Sequence, residues 1–219
     1  MTQVKICGLT DPSMVRIAAE AGADWIGFVL YPKSPRNLLG SGANALDEVQ
    51  ELSQFAQELG VLSTILMVDP SADLFEQVLH DVEPNAIQLH GKETPEQVQR
   101  MWRDSTEICE LWKALGVSDA EDLQEIEQWQ ADRLLIDAKP TQDTSLPGGN
   151  GEVMDWSMLD GFEPHVPWLL AGGLTPKNVA EAIAITGAPA VDVSTGVERV
   201  RGVKDEHLIR AFIDAVRDA

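Results

Sequence analysis

The stretch VKICGLTDPS, residues 4–13, joins a short apolar segment to a helix start through a few intervening residues. Its valine and isoleucine are typical of a buried strand. Asp11 followed by Pro12 is typical of an N-cap residue and the first helical position. Cys7 and Gly8 lie between these two signals. The stretch therefore predicts a strand–turn–helix unit with a cysteine at the strand tip.

Further apolar runs follow along the chain, most of them rich in Val, Ile and Leu. Nearly continuous apolar runs are typical of strands that are buried on both faces of a parallel sheet. The predicted strands are residues 4–7, 25–30, 62–68, 86–89, 108–113, 134–137, 168–171 and 190–193.

Helical patterns lie between these strands, and four of them open on an N-cap residue followed by proline. The four pairs are Asp11-Pro12, Asp69-Pro70, Thr94-Pro95 and Thr175-Pro176. A strand and then a helix, repeated eight times, predicts a (β/α)8 TIM barrel of the α/β class. We expect residues 1–219 to form one domain. A doubly wound open sheet is the alternative, but no GxGxxG follows the first strand.

Composition and net charge restrict the kinds of molecule that the protein is expected to bind. The chain has 36 acidic and 16 basic residues and a net charge of -20, which argues against a nucleic-acid partner. The acidity indicates a well-solvated surface, with adaptation to a salty cytoplasm as the alternative. No secretory signal and no membrane span are predicted, so we expect a cytoplasmic protein. Two cysteines do not make a disulfide framework, and Cys109 is predicted to be a core residue.

Two strand ends carry residues suited to proton transfer. Cys7 ends the first strand, and its place before a helix N-terminus could lower its pKa towards a reactive thiolate. Asp137 ends the sixth strand, and a carboxyl group buried there could serve as a proton donor. The alternatives are a small buried hydrophobe for Cys7 and an ion pair or loop cap for Asp137.

The last two strands are followed by stretches suited to a phosphate group. AGGLTPKNV, residues 171–179, follows the seventh strand, and DVSTGVE, residues 192–198, follows the eighth. TIM barrels often bind phosphate with these two loops. Backbone amides would also hold an anion without a basic surface.

Polar residues of other strand ends and loops complete the candidates. Arg36 could pair with a carboxylate, unless it is a solvated loop charge. His90 could polarise a substrate or merely satisfy a hydrogen bond, and Gln88 precedes it on the fourth strand. Only His90 among the histidines lies at a strand end, so we expect no metal site. Two long loops, residues 31–44 and 138–151, are candidate lids or substrate contacts.

These motifs together resemble the phosphoribosylanthranilate isomerases of tryptophan biosynthesis. The resemblance rests on KICGLT, GFVLYPKSPR, IQLHG, LLIDAK, GGNG, LAGGLTPKNV, VDVSTGVE and GVKD, in the order of the family. It implies an Amadori rearrangement of an aminoaldose to an aminoketose, without cofactor or metal. Asp137 would be the general acid and Cys7 the general base. Arg36 would bind the anthranilate carboxylate.

The resemblance also implies a phosphate site lined by Gly172, Gly173, Ser194 and Gly196. Asp192 would face the sugar, and Gln88 and His90 would lie near the substrate. The partner is therefore expected to be the small molecule phosphoribosylanthranilate. We expect a monomer, with a homodimer as the alternative.

Two other functions stay open from the residues alone. One is another phosphosugar isomerase or epimerase barrel, whose chemistry commonly uses a metal held by His and acidic residues. The other is a non-catalytic barrel that binds a phosphoribosyl ligand. A retained proton donor and acceptor argue against the second, because binding needs neither.

Overall fold

A computed structural model gives the structure of the protein and describes residues 1–41, 44–124, 126–138 and 155–219. Eight strands of this described part belong to one sheet, and two short ones form a hairpin. They are β1 (Gln3–Cys7), β2 (Trp25–Leu30), β3 (Leu62–Met67), β4 (Ala86–Leu89), β5 (Glu110–Val117), β6 (Arg133–Ala138), β7 (Trp168–Leu170), β8 (Ala190–Val193), β9 (Glu198–Val200) and β10 (Val203–Lys204).

Strands β1 to β8 form a closed barrel in which each strand lies parallel to its neighbours in chain order. The barrel closes between β1 and β8, where Gln3 pairs with Ala190 and Lys5 pairs with Asp192. Closure leaves none of these eight strands with a free edge. The predicted (β/α)8 barrel is confirmed, and the doubly wound open sheet is wrong.

Helices connect the strands around the outside of the barrel. The α-helices of the described residues are α1 (Pro12–Ala21), α2 (Asp47–Glu58), α3 (Ala72–Gln77), α4 (Pro95–Ser105), α5 (Ala120–Gln124), α6 (Val179–Thr186) and α7 (Glu206–Arg217). Between β6 and β7 the described residues contain only a 3₁₀ turn, Trp156–Leu159. Across the described ranges, no helix combines the length and the apolarity that crossing a bilayer requires.

Two of the predicted helix starts are confirmed by their caps. Asp11 accepts a hydrogen bond of 3.1 Å from the N–H of Met14 and opens α1, with proline at the first position. Thr94 opens α4 and forms a reciprocal capping box with Gln97. Each cap satisfies N–H groups that the first helical turn leaves without partners.

The other two predicted starts are wrong by a few residues. Helix α3 begins after Ser71, because Asp69 accepts from the N–H of Lys92 at 2.6 Å and is engaged in another loop. Helix α6 begins after Asn178, whose side chain accepts from the N–H of Thr175 at 2.7 Å. Asp69 is thus engaged elsewhere, whereas the Thr175 hydroxyl accepts from the N–H of Lys177 and caps the turn that precedes α6.

The barrel has two apolar layers because successive strand residues point to opposite faces. The outward-facing residues pack beneath the helices and form the larger core. The inward-facing layer comprises Trp25, Ala86, Trp112, Ala114, Leu135, Leu169, Ala171 and Ala190. Trp25 and Trp112 meet edge to face at 4.6 Å, and the Arg133 guanidinium lies over both rings. These groups fill the amino-terminal end of the barrel.

Strand β5 differs from the predicted range of residues 108–113. The N–H groups of Ile108 and Cys109 both donate to the carbonyl of Ser105, so these residues complete the end of α4. The strand instead continues to Val117, because its second half pairs with β6 as far as Ala138. Cys109 is consequently only partly buried, at the edge of the core rather than within it.

Candidate active site

Cys7 and Asp137 both lie at the carboxyl end of the barrel and point inwards. Asp137 follows the inward-facing Leu135 by two residues, and Cys7 follows Lys5, which pairs with Asp192 inside the barrel. Side chains two apart in a strand share a face. Both candidates are buried, with 3% of Cys7 and 7% of Asp137 exposed. The structure therefore brings the two predicted proton-transfer groups to one mouth.

A fully buried lysine lies directly below Cys7 on β1. Lys5 donates to Asp192 Oδ1 on β8 at 2.7 Å. Burial alone would lower the pKa of Lys5, but Asp192 and then Cys7 outweigh burial and raise this pKa. Lys5 therefore keeps its positive charge inside the barrel, where an unpaired ammonium would be costly.

The interpretation in which the helix start lowers the Cys7 pKa is contradicted. Burial raises the pKa of the Cys7 thiol, and Asp192 adds to the rise, while Lys5 and Lys204 oppose it. Asp11 caps helix α1, so its carboxylate offsets the positive end of the helix dipole. The charged groups that shift the Cys7 pKa are Lys5, Asp192 and Lys204.

Arg36 is buried rather than a solvated loop charge. Its Nε lies 2.6 Å from Glu198 Oε1 and its Nη2 lies 2.8 Å from Glu198 Oε2, a bidentate pair across the mouth. The Arg36 side chain crosses Gly8, whose φ of 78° and lack of a side chain allow it to pass. The predicted bidentate geometry is present, but its carboxylate belongs to the protein.

Glu198 also accepts from Lys204, whose Nζ lies 2.9 Å from Oε1. Burial would raise the pKa of Glu198, but Arg36 and Lys204 outweigh it and lower this pKa to about 2. Burial lowers the pKa of Lys204, an effect that Glu198 opposes. Lys204 also donates to the carbonyl of Ser194 at 2.8 Å and to its Oγ at 3.2 Å. Glu198 thus joins Arg36 to the strand-eight loop.

On the opposite side of the mouth, Asp137 is backed by a histidine and a glutamine. Gln88 Nε2 donates to His90 Nδ1 at 2.9 Å, and His90 Nε2 lies 3.3 Å from Asp137 Oδ2. A side-chain amide nitrogen can only donate, so Nδ1 is the accepting ring nitrogen and Nε2 is the one that faces the carboxylate. Gln88 is fully buried, so it fixes the ring rather than reaching solvent.

The two predicted phosphate loops touch each other at the mouth. Gly172 and Gly173 have φ values of 84° and 65°, a backbone conformation that favours glycine. In the part of the chain described here, their N–H groups have no protein acceptor. A side chain at Gly196 would meet the carbonyl oxygen of Leu174. The loops therefore pack backbone to backbone around half-exposed amides, with Ser194 beside them.

Sequence reasoning assigned no role to Lys5, Glu198 or Lys204. One signal was available for Lys5, because it precedes Cys7 by two residues and must share its inward face. Glu198 and Lys204 pair with each other across the β9–β10 hairpin, but Arg36, which ties Glu198 to the mouth, lies 162 positions away in the sequence. Among the described residues, no group of three or more His, Cys, Asp or Glu side chains could hold a metal ion. Of the candidate lid at residues 138–151, residues 139–151 lie outside the described part.

Comparison with known proteins identifies an enzyme family. A sequence model of N-(5'-phosphoribosyl)anthranilate (PRA) isomerases matches residues 4–215. The N-(5'-phosphoribosyl)anthranilate isomerase of Hyphomonas neptunium is 47% identical over 218 residues, 99% of this chain and 98% of that protein.

Solved structures agree with the sequence match. The phosphoribosyl anthranilate isomerase of Thermotoga maritima superposes with a TM-score of 0.83, at 31% identity and full coverage of both chains. A second solved isomerase, in complex with reduced 1-(o-carboxyphenylamino)-1-deoxyribulose 5-phosphate, gives a TM-score of 0.77 at 30% identity and full coverage of both chains.

Proposed function

The chain belongs to the N-(5'-phosphoribosyl)anthranilate isomerase family, and we infer that it catalyses the isomerisation step of tryptophan biosynthesis. The reaction converts N-(5-phosphoribosyl)anthranilate to 1-(2-carboxyphenylamino)-1-deoxyribulose 5-phosphate. The observation that carries this inference is the full-length family match, joined to a buried thiol and a buried carboxyl group at one barrel mouth.

Asp137 is proposed as the general acid of ring opening. It gives a proton to the furanose ring oxygen, the C1–O bond breaks, and the anthranilate nitrogen forms a Schiff base with C1. His90 faces Oδ2 of Asp137, which leaves Oδ1 for the transferred proton. Gln88 holds His90 in the orientation that this arrangement needs. Gln88 and His90 therefore affect the reaction by orienting Asp137.

Cys7 is proposed as the general base of the second step. Its thiolate removes the proton from C2 of the Schiff base. The C–H electron pair forms a C1=C2 double bond while the π electrons of C1=N move to the nitrogen, which gives an enolamine that tautomerises to the aminoketose. The protonated imine is its own electron sink, so the chemistry requires no cofactor or metal. Turnover that persists after exhaustive dialysis against a chelator would support this, and it would argue against a metal-dependent epimerase.

The substrate's two anionic groups are proposed to bind at separate places. Glu198 holds Nε and Nη2 of Arg36, so Nη1 is the nitrogen left for the anthranilate carboxylate. The amides of Gly172, Gly173 and Gly196, with the Ser194 hydroxyl, would hold the phosphate. Asp192, held by Lys5, would face the ribose hydroxyls. This division places both anionic groups of the substrate on local donors in a protein of net charge -20.

The test is a fluorescence assay with freshly prepared phosphoribosylanthranilate. We expect wild type and Cys109→Ser to consume the substrate, whereas Cys7→Ser and Asp137→Asn lose turnover and keep the circular dichroism of the wild type. Cys109 is the matched control because it is the other cysteine and lies away from the mouth. Near-normal turnover in either active-site variant would refute its assigned role.

A monomer acting in the cytoplasm is the proposed working form. The exposed large apolar side chains of the described residues lie on several elements, and Val200 and Val203 are cross-strand neighbours (Met1, Leu62, Ile108, Ile185, Val200 and Val203). Light scattering on the purified protein would return the mass of one chain. Twice that mass would establish the homodimer instead.

A further inference from the structure

The ammonium of Lys5 and the sulfur of Cys7 share one small space inside the barrel. Gly27 on β2 pairs with Cys7, and a Cβ placed on Gly27 would lie 2.9 Å from Cys7 Sγ and 3.1 Å from Lys5 Nζ. The two atoms are therefore at most about 6 Å apart, within the ~4–6 Å over which an opposite charge shifts a pKa. The missing side chain of Gly27 is what makes the approach possible.

Charged groups face Cys7 from three strands. Lys5 lies on its own strand, Asp192 on β8 and Lys204 on β10, while β2 offers only Gly27. Asp192 is paired with Lys5, and Lys204 is paired with Glu198, which in turn holds Arg36. Cys7 is thus influenced by the ammonium of Lys5 from one buried ion pair and by the ammonium of Lys204 from the other buried cluster.

The charges of the buried ion pairs and of Cys7 together sum to zero only when Cys7 is a thiolate. Three cations, Lys5, Lys204 and Arg36, face two carboxylates, Asp192 and Glu198. With Cys7 as a thiol the buried set carries one net positive charge, and with Cys7 as a thiolate it is neutral. Buried charge is costly unless it is compensated, so the set favours the anionic sulfur against the burial that opposes it.

We propose that Lys5 is a positioning residue of the isomerisation, which supplies the charge that lets Cys7 act as a thiolate base. The inference rests on the proposed role of Cys7. Lys5 touches neither reacting carbon in this scheme and acts through the sulfur. Asp192 restrains the same ammonium from the other side, so the two residues have opposite effects on the thiolate.

The direct test is an ultraviolet titration of the Cys7 thiolate in a Cys109→Ser background, where Cys7 is the remaining cysteine. The matched blank is Cys7→Ser/Cys109→Ser, which subtracts the tyrosine and tryptophan signal. Adding Lys5→Met should raise the titration midpoint by about one to three pH units. Adding Asp192→Asn should lower the midpoint, and Lys5→Arg should restore it towards the background value.

A second variant and a pH profile test the same role of Lys5. If Lys5→Met does not fold, Lys5→Gln replaces it, because glutamine can still donate to Asp192 without a charge. The ascending limb of kcat/KM against pH should move with the titration midpoint. A midpoint that is unchanged when the charge is removed overturns the inference and leaves the role of Cys7 intact. Full turnover in Cys7→Ser would instead overturn the proposed base itself.

Discussion

Removing the charge of Glu198 is expected to destabilise the protein in a pH-dependent way. The Glu198 side chain is 1% exposed and holds both Arg36 and Lys204. Its pKa falls from 4.5 to about 2 on folding. One pKa unit corresponds to about 1.4 kcal/mol, so the ionised group contributes about 3 kcal/mol to the free energy of unfolding at neutral pH.

The sign of the pH effect follows from the direction of the shift. A carboxyl group whose pKa is lowered in the folded state stabilises above its unfolded pKa, and this stabilisation is lost as pH falls through the folded pKa. For Glu198 the window runs from 4.5 down to about 2. Glu198→Gln should therefore lower the free energy of unfolding by about 3 kcal/mol at neutral pH and by about 2 kcal/mol near pH ~3.5.

Urea unfolding followed by tryptophan fluorescence measures this difference at each pH. Glu51→Gln is the matched control, because Glu51 is an exposed glutamate on α2 and its replacement should change stability by less than about 0.5 kcal/mol. A Glu198→Gln deficit that stays constant from neutral pH to about pH 3.5 would refute the reasoning. The same variant should raise KM more than it lowers kcat, since Arg36 loses its anchor.

Three further outcomes are expected. Gly196→Ala forces the backbone away from the Leu174 carbonyl, so KM should rise by about tenfold or more and competitive inhibition by inorganic phosphate should weaken correspondingly. Glu93→Gln leaves the Lys113 ammonium, 2.6 Å away, buried without its counter-ion, and should cost about 3–5 kcal/mol in urea unfolding; a loss below 1 kcal/mol would contradict this. Thr94→Ala removes one half of a capping box, and calorimetry should record a loss of about 1 kcal/mol, with Thr94→Ser close to wild type.

The barrel was predictable from sequence because its signals are local. A continuous apolar run needs only its own residues to indicate a buried strand, and β2, β4 and β8 have the predicted bounds. A residue that ends such a strand must lie at the barrel mouth, which is why Cys7 and Asp137 could be selected. The limits of β5 could not be predicted, because pairing with β6 carries that strand on through Gly116.

Tertiary structure alone decided how the mouth is charged. Lys5 pairs with Asp192, which is 187 positions away in the sequence, and Arg36 pairs with Glu198, which is 162 positions away. A charge inside a barrel is tolerated only where a counter-ion meets it, and no local pattern reveals that counter-ion. The pKa of Cys7 follows the same rule: the neighbouring helix start suggested a decrease, whereas burial by the closed barrel raises it. Sequence thus determined the strands and the residues at their ends, and closure of the barrel determined which charges those residues meet.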